Sequence, residues 1–310
     1  MSCSAEPPPS TEARDPTVTA VPLANSFRHP LHSDVIGQEF LIDVVLPYVP
    51  TDEPMPVVYV TDGNSMLPII ANSARLLQIG GELPPLIIVG IGYATTASSE
   101  VLALRTRDLT PTLDTAYVER ARTGPMPLPQ NIVPGGAAKF LDFIEQEVKP
   151  LIAANYPAKT DDATLVGDSL GGLFTLYALF NRTDDYQRYI AGSPSLWWDG
   201  KSLFDDETAY AAREEDLNAK LFLSVGALEE NSAAPEDFAK MVSNTRSMGN
   251  LLEDRAYPNL TMTVHEFDGE THLSVIPATL SRGLREVFAD DVEAAMAARQ
   301  VSQEAQPSDD

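Results

Sequence analysis

The chain has 310 residues, of which 44% are apolar and 21% charged, and its 21 basic and 45 acidic residues give a formal net charge of −24. This composition is typical of a globular protein, and no apolar run approaches the roughly 20 residues that a membrane span needs. A single cysteine excludes a disulfide scaffold, and the scattered basic residues exclude nucleic acid and anionic membrane surfaces as partners.

Both ends of the chain are polar. Residues 1–20 lack an apolar core behind a basic start, so we expect a flexible N-terminal tail and, by default, a cytoplasmic protein. Residues 299–310 predict a disordered C-terminal tail. No linker interrupts residues 21–298, which we therefore expect to form one domain.

Between the tails, strand-like apolar runs alternate with helical patterns. In chain order, the predicted strands are residues 40–46, 56–60, 86–90, 164–166, 188–191, 221–225 and 260–267. The predicted helices are residues 67–79, 136–155 with a kink at Pro150, 171–180, 236–255 and 273–299. This alternation predicts an α/β fold with a mostly parallel central sheet and helices on both faces. Residues 93–134, which look irregular, and residues 195–212 are expected to be insertions over one end of the sheet.

A Gly-x-Ser-x-Gly motif lies between the strand at 164–166 and the helix at 171–180. It consists of Gly167, Ser169 and Gly171. A serine on such a sharp strand-to-helix turn is held exposed above the sheet, at the start of a helix whose N–H groups favour negative charge. The alternative is an ordinary glycine-rich turn, but the flanking strand and helix favour Ser169 as a nucleophile.

A serine nucleophile needs a base, and the chain has only four histidines. His29 and His32 precede the serine, whereas the base of an α/β-hydrolase follows it. His265 lies inside a predicted strand, where it packs or faces solvent. His272 follows that strand and is the predicted base, the alternative being a surface or helix-capping histidine.

A carboxylate is expected in the loop after the strand at 221–225, where it would orient the histidine. Glu229 is the predicted residue. The alternatives are Glu230, Glu236 and Asp237, or no catalytic acid, in which case all of these side chains are solvated surface groups.

An oxyanion hole requires two N–H donors fixed in advance. The backbone N–H of Leu170, directly after the nucleophile, is one predicted donor. The other is expected after an earlier strand, where the turn Asp62-Gly63-Asn64 places the backbone N–H of Asn64. An ordinary Asp-Gly turn is the alternative.

From about residue 29 to residue 288 the chain resembles the putative-esterase family of α/β-hydrolases, and in particular its branch of ferric-siderophore esterases. The resemblance lies in several motifs in the same order: SDVIGQEFLIDVVLP (33–47), VVYVTDGN (57–64), PLIIVGIGY (85–93), RTRDLTP (105–111), residues 135–156, GDSLGG (167–172), SPSLWW (193–198), VGALEE (225–230) and GETH (269–272).

This resemblance implies a single-domain serine esterase that works through an acyl-enzyme without metal or organic cofactor. Ser169 is the implied nucleophile and His272 the implied base, with Glu229 as the acid or with a Ser–His dyad as the alternative. The resemblance also places Arg105 near the site, either binding an anionic group of the substrate or paired with Asp108. Trp197 is expected to form an aromatic wall for the substrate, with Trp198, unless both belong to the core.

The expected substrate is a small-molecule carboxylic ester. A siderophore lactone is one case, although a net charge of −24 would repel an anionic iron complex at long range. Two other functions stay open, an acyltransferase on the same fold and a non-catalytic binding member of the family.

Overall fold

One eight-stranded sheet forms the centre of the protein. The structure, a computed structural model, describes residues 21–49, 51, 53–124, 127–230 and 240–304. Within these residues the strands are β1 (Ser26–Ser33), β2 (Gln38–Val45), β3 (Met55–Val60), β4 (Ile87–Tyr93), β5 (Ala158–Asp168), β6 (Arg188–Gly192), β7 (Ala219–Gly226) and β8 (Leu260–Phe267).

The strand order is β1-β2-β4-β3-β5-β6-β7-β8. From β4 to β8 all neighbours run parallel, and β2 runs antiparallel to both of its neighbours, β1 and β4, so the predicted mostly parallel sheet is confirmed. Central strands such as β3, with the sequence MPVVYV, are buried at every position. Such continuous apolar runs are typical of strands covered on both faces.

Helices cover both faces of the sheet. They are α1 (Gly63–Ile79), α2 (Ser98–Asp108), α3 (Thr115–Thr123), α4 (Ala137–Phe143), α5 (Lys149–Asn155), α6 (Leu170–Asn181), α7 (Trp198–Lys201), α8 (Leu203–Ala211), α9 (Met241–Arg255), α10 (Ile276–Val287) and α11 (Ala289–Glu304). Buried residues of α1 and α10 form one apolar core with the sheet, and those of α4, α5, α6, α8 and α9 form the core on the opposite face. Because β3 and β5–β8 run parallel, their carboxyl ends lie at the same end of the sheet, where the loops that follow these strands meet.

The structure differs from the predicted elements in three of its segments. Strand β1 was not predicted because it contains Pro30 and polar residues, which an edge strand tolerates. The segment 93–134 is not simply irregular, since it contains α2 and α3, whose sequences carry too few apolar residues for a clear helical period. The predicted helix 136–155 is interrupted by a π-helical turn over Ile144–Val148, next to Pro150 at the start of α5.

The chain ends are only partly described. Helix α11 continues to Glu304, past residue 299 where the C-terminal tail was expected to begin. Residues 1–20 and 305–310, on which the two predicted tails fall, lie outside the described residues. No helix in the described part of the chain is both long and apolar enough to span a bilayer.

Arg188, the first residue of β6, connects the sheet to α10 and α11. Its side chain is buried on β6, where Nε donates to the Val287 carbonyl at 3.1 Å and Nη2 to the Asp291 carboxylate at 2.9 Å. It also pairs with Asp162, and its guanidinium lies 4.4 Å from the ring centre of Phe288.

We expect Arg188→Met to lower the free energy of unfolding by about 3–5 kcal/mol, because two carboxylates lose their shared partner in a largely buried setting. Arg182→Met is the control, since Arg182 makes a partly exposed ion pair with Asp142 and its loss should cost at most about 1 kcal/mol. Urea unfolding of both variants measures the difference. Equal losses in the two variants would contradict this role of Arg188.

Candidate active site

Ser169 occupies a strained turn between β5 and α6. Its backbone angles are φ 61° and ψ −117°, a conformation that residues other than glycine rarely adopt. A Cβ atom on Gly167 would lie 2.1 Å from the Gly171 carbonyl oxygen, and one on Gly171 would lie 2.5 Å from Thr61 Oγ1. Close approach of the backbone at Gly167 and of the Thr61 side chain at Gly171 thus leaves no room for a Cβ atom at either position, which lets the turn present the serine.

The loop after β6 holds the serine from the other side. Ser169 N donates to the Gly192 carbonyl at 2.9 Å, and the Ser169 carbonyl accepts from Ser195 N at 3.1 Å. The hydroxyl oxygens of Ser169 and Ser195 are 3.5 Å apart. The serine therefore has a fixed backbone and a hydroxyl neighbour at this loop.

The same loop binds the carboxylate of Glu229, which is only 2% exposed. Oε1 accepts from Ser193 Oγ and from Gly226 N, both at 2.7 Å. Oε2 lies 2.6 Å from Nδ1 of His272. Glu229 and His272 are thus brought together, and the loop 192–195 connects them to the backbone of Ser169.

His272 carries opposing influences on its pKa. Burial alone would lower the pKa, but the hydrogen bond to Glu229 and the charges of Asp168 and Glu229 raise it, and the net effect is a pKa above the usual value. A positive charge on this imidazole is therefore stabilised. The Nδ1 contact leaves Nε2 as the ring nitrogen that can take a proton.

Asp168, directly before the serine, was not singled out from the sequence. It is buried, and its Oδ1 has no hydrogen-bond partner among the described residues. Burial raises its pKa to about 8, opposed by the positive charges of His272 and Arg105 and assisted by Glu229 and Asp62. Its only signal in the sequence is its place inside the motif.

The alternative acids occupy other positions. Glu230 accepts from Ser243 N at 2.8 Å and also from the Ser243 hydroxyl, so its carboxylate is bound to α9. Glu236 and Asp237 lie outside the described residues.

The turn that contains Asn64 begins α1. Asn64 is the second helical residue, so its N–H has no partner within the helix. Its side chain is fixed by Tyr93, whose N–H donates to Oδ1 at 2.7 Å and whose carbonyl accepts from Nδ2 at 2.9 Å. A Cβ on Gly63 would lie 2.7 Å from backbone atoms of Gly90, so the start of α1 is packed tightly on β4. Leu170, likewise, is the first residue of α6 and has a free helical N–H.

Arg105 pairs with Asp62 and not with Asp108, so the alternative partner expected from the sequence is wrong. Nε and Nη2 of Arg105 donate to the two carboxylate oxygens of Asp62 at 2.8 Å each. Asp108 instead pairs with Arg107, at 2.7 Å.

The two tryptophans have different settings. Trp198 is fully buried and donates from Nε1 to the Thr112 carbonyl, so it belongs to the core. Trp197 is half-buried beside the rings of Trp198 and Tyr117, with ring centres 5.8 and 6.2 Å away. Part of the Trp197 side chain therefore stays accessible to solvent.

No set of three or more His, Cys, Asp or Glu residues is grouped to hold a metal ion in the part of the chain that the structure describes.

Comparison with known proteins gives a consistent result. The sequence profile of the family described as Putative esterase matches residues 33–287. The siderophore triacetylfusarinine C esterase of Aspergillus fumigatus is 31% identical over 295 residues, which cover 88% of this chain and 96% of that protein. The ferri-bacillibactin esterase BesA of Bacillus subtilis is 33% identical over 239 residues, covering 74% of this chain and 78% of that protein.

Solved structures show the same relationship. The BES protein from Bacillus cereus superposes with a TM-score of 0.73 and 30% identity, covering 87% of this chain and 98% of that one. The siderophore hydrolase EstB from Aspergillus nidulans has a TM-score of 0.70 and 27% identity, covering 86% of this chain and 96% of that one.

We expect Glu229→Gln to lower kcat for ester hydrolysis by about 10³–10⁴-fold, because an amide N–H facing Nδ1 forces the wrong imidazole tautomer. The acid limb of the pH profile, where activity is lost as the pH falls, should also move to lower pH than in the wild type. His272 must be neutral to accept a proton, and the substitution removes an influence that raises its pKa. Rate profiles against pH with a neutral ester measure both effects.

Glu230→Gln is the control for this change, since that neighbouring carboxylate is bound to Ser243. It should leave both kcat and the pH profile near the wild-type values. An unchanged acid limb in Glu229→Gln would count against the role of Glu229.

Proposed function

The chain belongs to the putative esterase family and is a serine ester hydrolase, and from that premise we propose that Ser169, His272 and Glu229 form its catalytic triad. One observation carries the proposal. The loop 192–195 binds the backbone of Ser169 and, through Ser193, the carboxylate that contacts His272. A fully satisfied buried carboxylate on Nδ1 is the arrangement that makes Nε2 a base.

In the first half of the reaction Ser169 Oγ attacks the ester carbonyl carbon while His272 Nε2 accepts the hydroxyl proton. The tetrahedral intermediate then collapses, the bond to the alcohol oxygen breaks, and His272 returns its proton to the leaving alcohol. In the second half a water molecule loses a proton to His272 and attacks the acyl-serine. The second tetrahedral intermediate collapses, the bond between the acyl carbon and Ser169 Oγ breaks, and His272 returns the proton to Oγ, which releases the carboxylic acid and restores both residues. Glu229 stabilises the imidazolium in both halves.

The carbonyl oxygen gains negative charge in each tetrahedral intermediate. We assign its stabilisation to the backbone N–H groups of Leu170 and Asn64, each near the start of a helix and without a helical partner. Both stand next to short, tightly packed turns, which supports donors that are fixed before the substrate arrives.

The proposed substrate is an ester-linked iron chelator. The relatives named above are esterases of triacetylfusarinine C and of ferri-bacillibactin, and alignments with them cover most of this chain. We assign Trp197, which is only half-buried, to contact with this substrate, because an aromatic side chain offers a large apolar contact surface.

The proposal also includes a cytoplasmic location. The acidic composition supports the absence of nucleic-acid and anionic membrane partners. Cell fractionation tests the location, and recovery of the protein in the membrane fraction would contradict it.

We expect Ser169→Ala to reduce kcat on p-nitrophenyl acetate and on iron-loaded triacetylfusarinine C by at least about 10⁴-fold, since the nucleophile is lost. Ser247→Ala, on the exposed side of α9, is the control and should keep wild-type rates.

Phosphonate labelling of the wild type distinguishes the esterase from a non-catalytic binding protein, which would not react. Release of free acid in the presence of added alcohol distinguishes hydrolysis from acyl transfer. Equal rates in Ser169→Ala and the wild type would contradict the proposed mechanism.

A further inference from the structure

Two helices of this protein begin after an aspartate, and the two aspartates behave differently. Asp114 precedes α3 with an extended backbone, and its Oδ1 accepts from Tyr117 N at 2.8 Å. This is the usual N-cap contact, in which a carboxylate occupies an N–H of the first helical turn. Asp62 precedes α1 with a left-handed backbone, φ 54° and ψ 38°, and makes no such contact.

The reason lies in the partner of Asp62. Both of its carboxylate oxygens accept from Arg105, at 2.8 Å each, and the two side chains are only 10% and 18% exposed. Burial alone would lower the pKa of Arg105, but the charge and hydrogen bonds of Asp62 raise it overall, so the guanidinium stays charged. The carboxylate is therefore held by α2 and is not available to cap its own helix.

An N-cap carboxylate accepts from the second or third residue of its helix. In α1 the second residue is Asn64, whose N–H is assigned above to the oxyanion. If Asp62 adopted the conformation of Asp114, its carboxylate would accept from the third residue of α1, Ser65, directly after Asn64. Its negative charge would then lie beside the Asn64 N–H and repel the developing oxyanion. Keeping the site open thus requires that the carboxylate be held elsewhere.

We propose that Arg105 is a positioning residue that keeps the oxyanion site open by withdrawing the Asp62 carboxylate from the start of α1. This inference rests on the proposed function, because the N–H of Asn64 matters only if Ser169 attacks an ester. It differs from the anion-binding role expected for Arg105 from the sequence. A substrate anion would have to compete with a bidentate, largely buried carboxylate.

The test compares kcat and KM of Arg105→Met on p-nitrophenyl acetate, a neutral ester, and on p-nitrophenyl hemisuccinate, an anionic one. We expect kcat to fall by about 10²-fold on both esters with KM little changed, as for the loss of one oxyanion donor. Arg107→Met is the matched control, since it removes the same charge two residues away but frees Asp108 rather than Asp62. It should keep the wild-type kcat. A higher KM for the anionic ester alone, with wild-type kcat on the neutral one, would overturn the proposal.

A double variant separates positioning from simple loss of structure. In Arg105→Met/Asp62→Gly the carboxylate is absent, and glycine adopts the left-handed conformation without strain. We expect it to regain at least about tenfold in kcat over Arg105→Met, since no carboxylate then lies beside the Asn64 N–H. If the double variant regains no kcat and both variants have equally lowered melting temperatures, Arg105 serves only to stabilise the fold.

The outcome is separable from that of the proposed function. If wild-type hydrolysis does not depend on Ser169, the proposed function fails first. If it does depend on Ser169 and Arg105→Met keeps the wild-type kcat on the neutral ester, only the role of Arg105 is wrong.

Discussion

The site is organised around one buried carboxylate. At 2% exposure the Glu229 side chain requires hydrogen-bond donors, and it takes them from three places: Gly226 N at the end of its own strand, Ser193 after β6 and His272 after β8. The loops after β6, β7 and β8 are thereby fixed to one another. Because the loop 192–195 also bonds the backbone of Ser169, the position of the base and that of the nucleophile are set by the same contacts.

Charged side chains around the site are likewise held by partners within the protein. The protein is strongly acidic, and each of the two arginines of the motif RTRDLTP forms an ion pair with an aspartate, Arg105 with Asp62 and Arg107 with Asp108. The positive charges of Arg105 and Arg107 are therefore paired with carboxylates of the protein itself. Asp168 is buried beside the base with a raised pKa, so its environment disfavours a further negative charge next to Glu229. The hydrogen bond to Glu229 is the largest of the influences that favour a positive charge on His272.

Much of this arrangement could be predicted from the sequence, and the limits have physical reasons. The strand-to-helix motif, the late histidine and the parallel sheet depend on local patterns and chain order, which a sequence displays directly. The proline-containing edge strand β1 and the polar helices α2 and α3 have weak patterns because little of their surface is buried in the core. The partner of Arg105 was missed since Asp62 lies 43 residues away, whereas Asp108 is close in sequence. Ser193 and Asp168 gave no separate signal, because their roles depend on contacts between loops.

In the proposed mechanism, an ester carbonyl at Ser169 points its oxygen at the N–H groups of Leu170 and Asn64. A crystal structure of the protein inactivated by a serine-reactive phosphonate, which resembles the tetrahedral intermediate, would show this oxygen. We expect a covalent bond to Ser169 Oγ, with a phosphoryl oxygen about 2.7–3.1 Å from both backbone nitrogens. A phosphoryl oxygen directed away from these nitrogens, or an adduct on another residue, would contradict it.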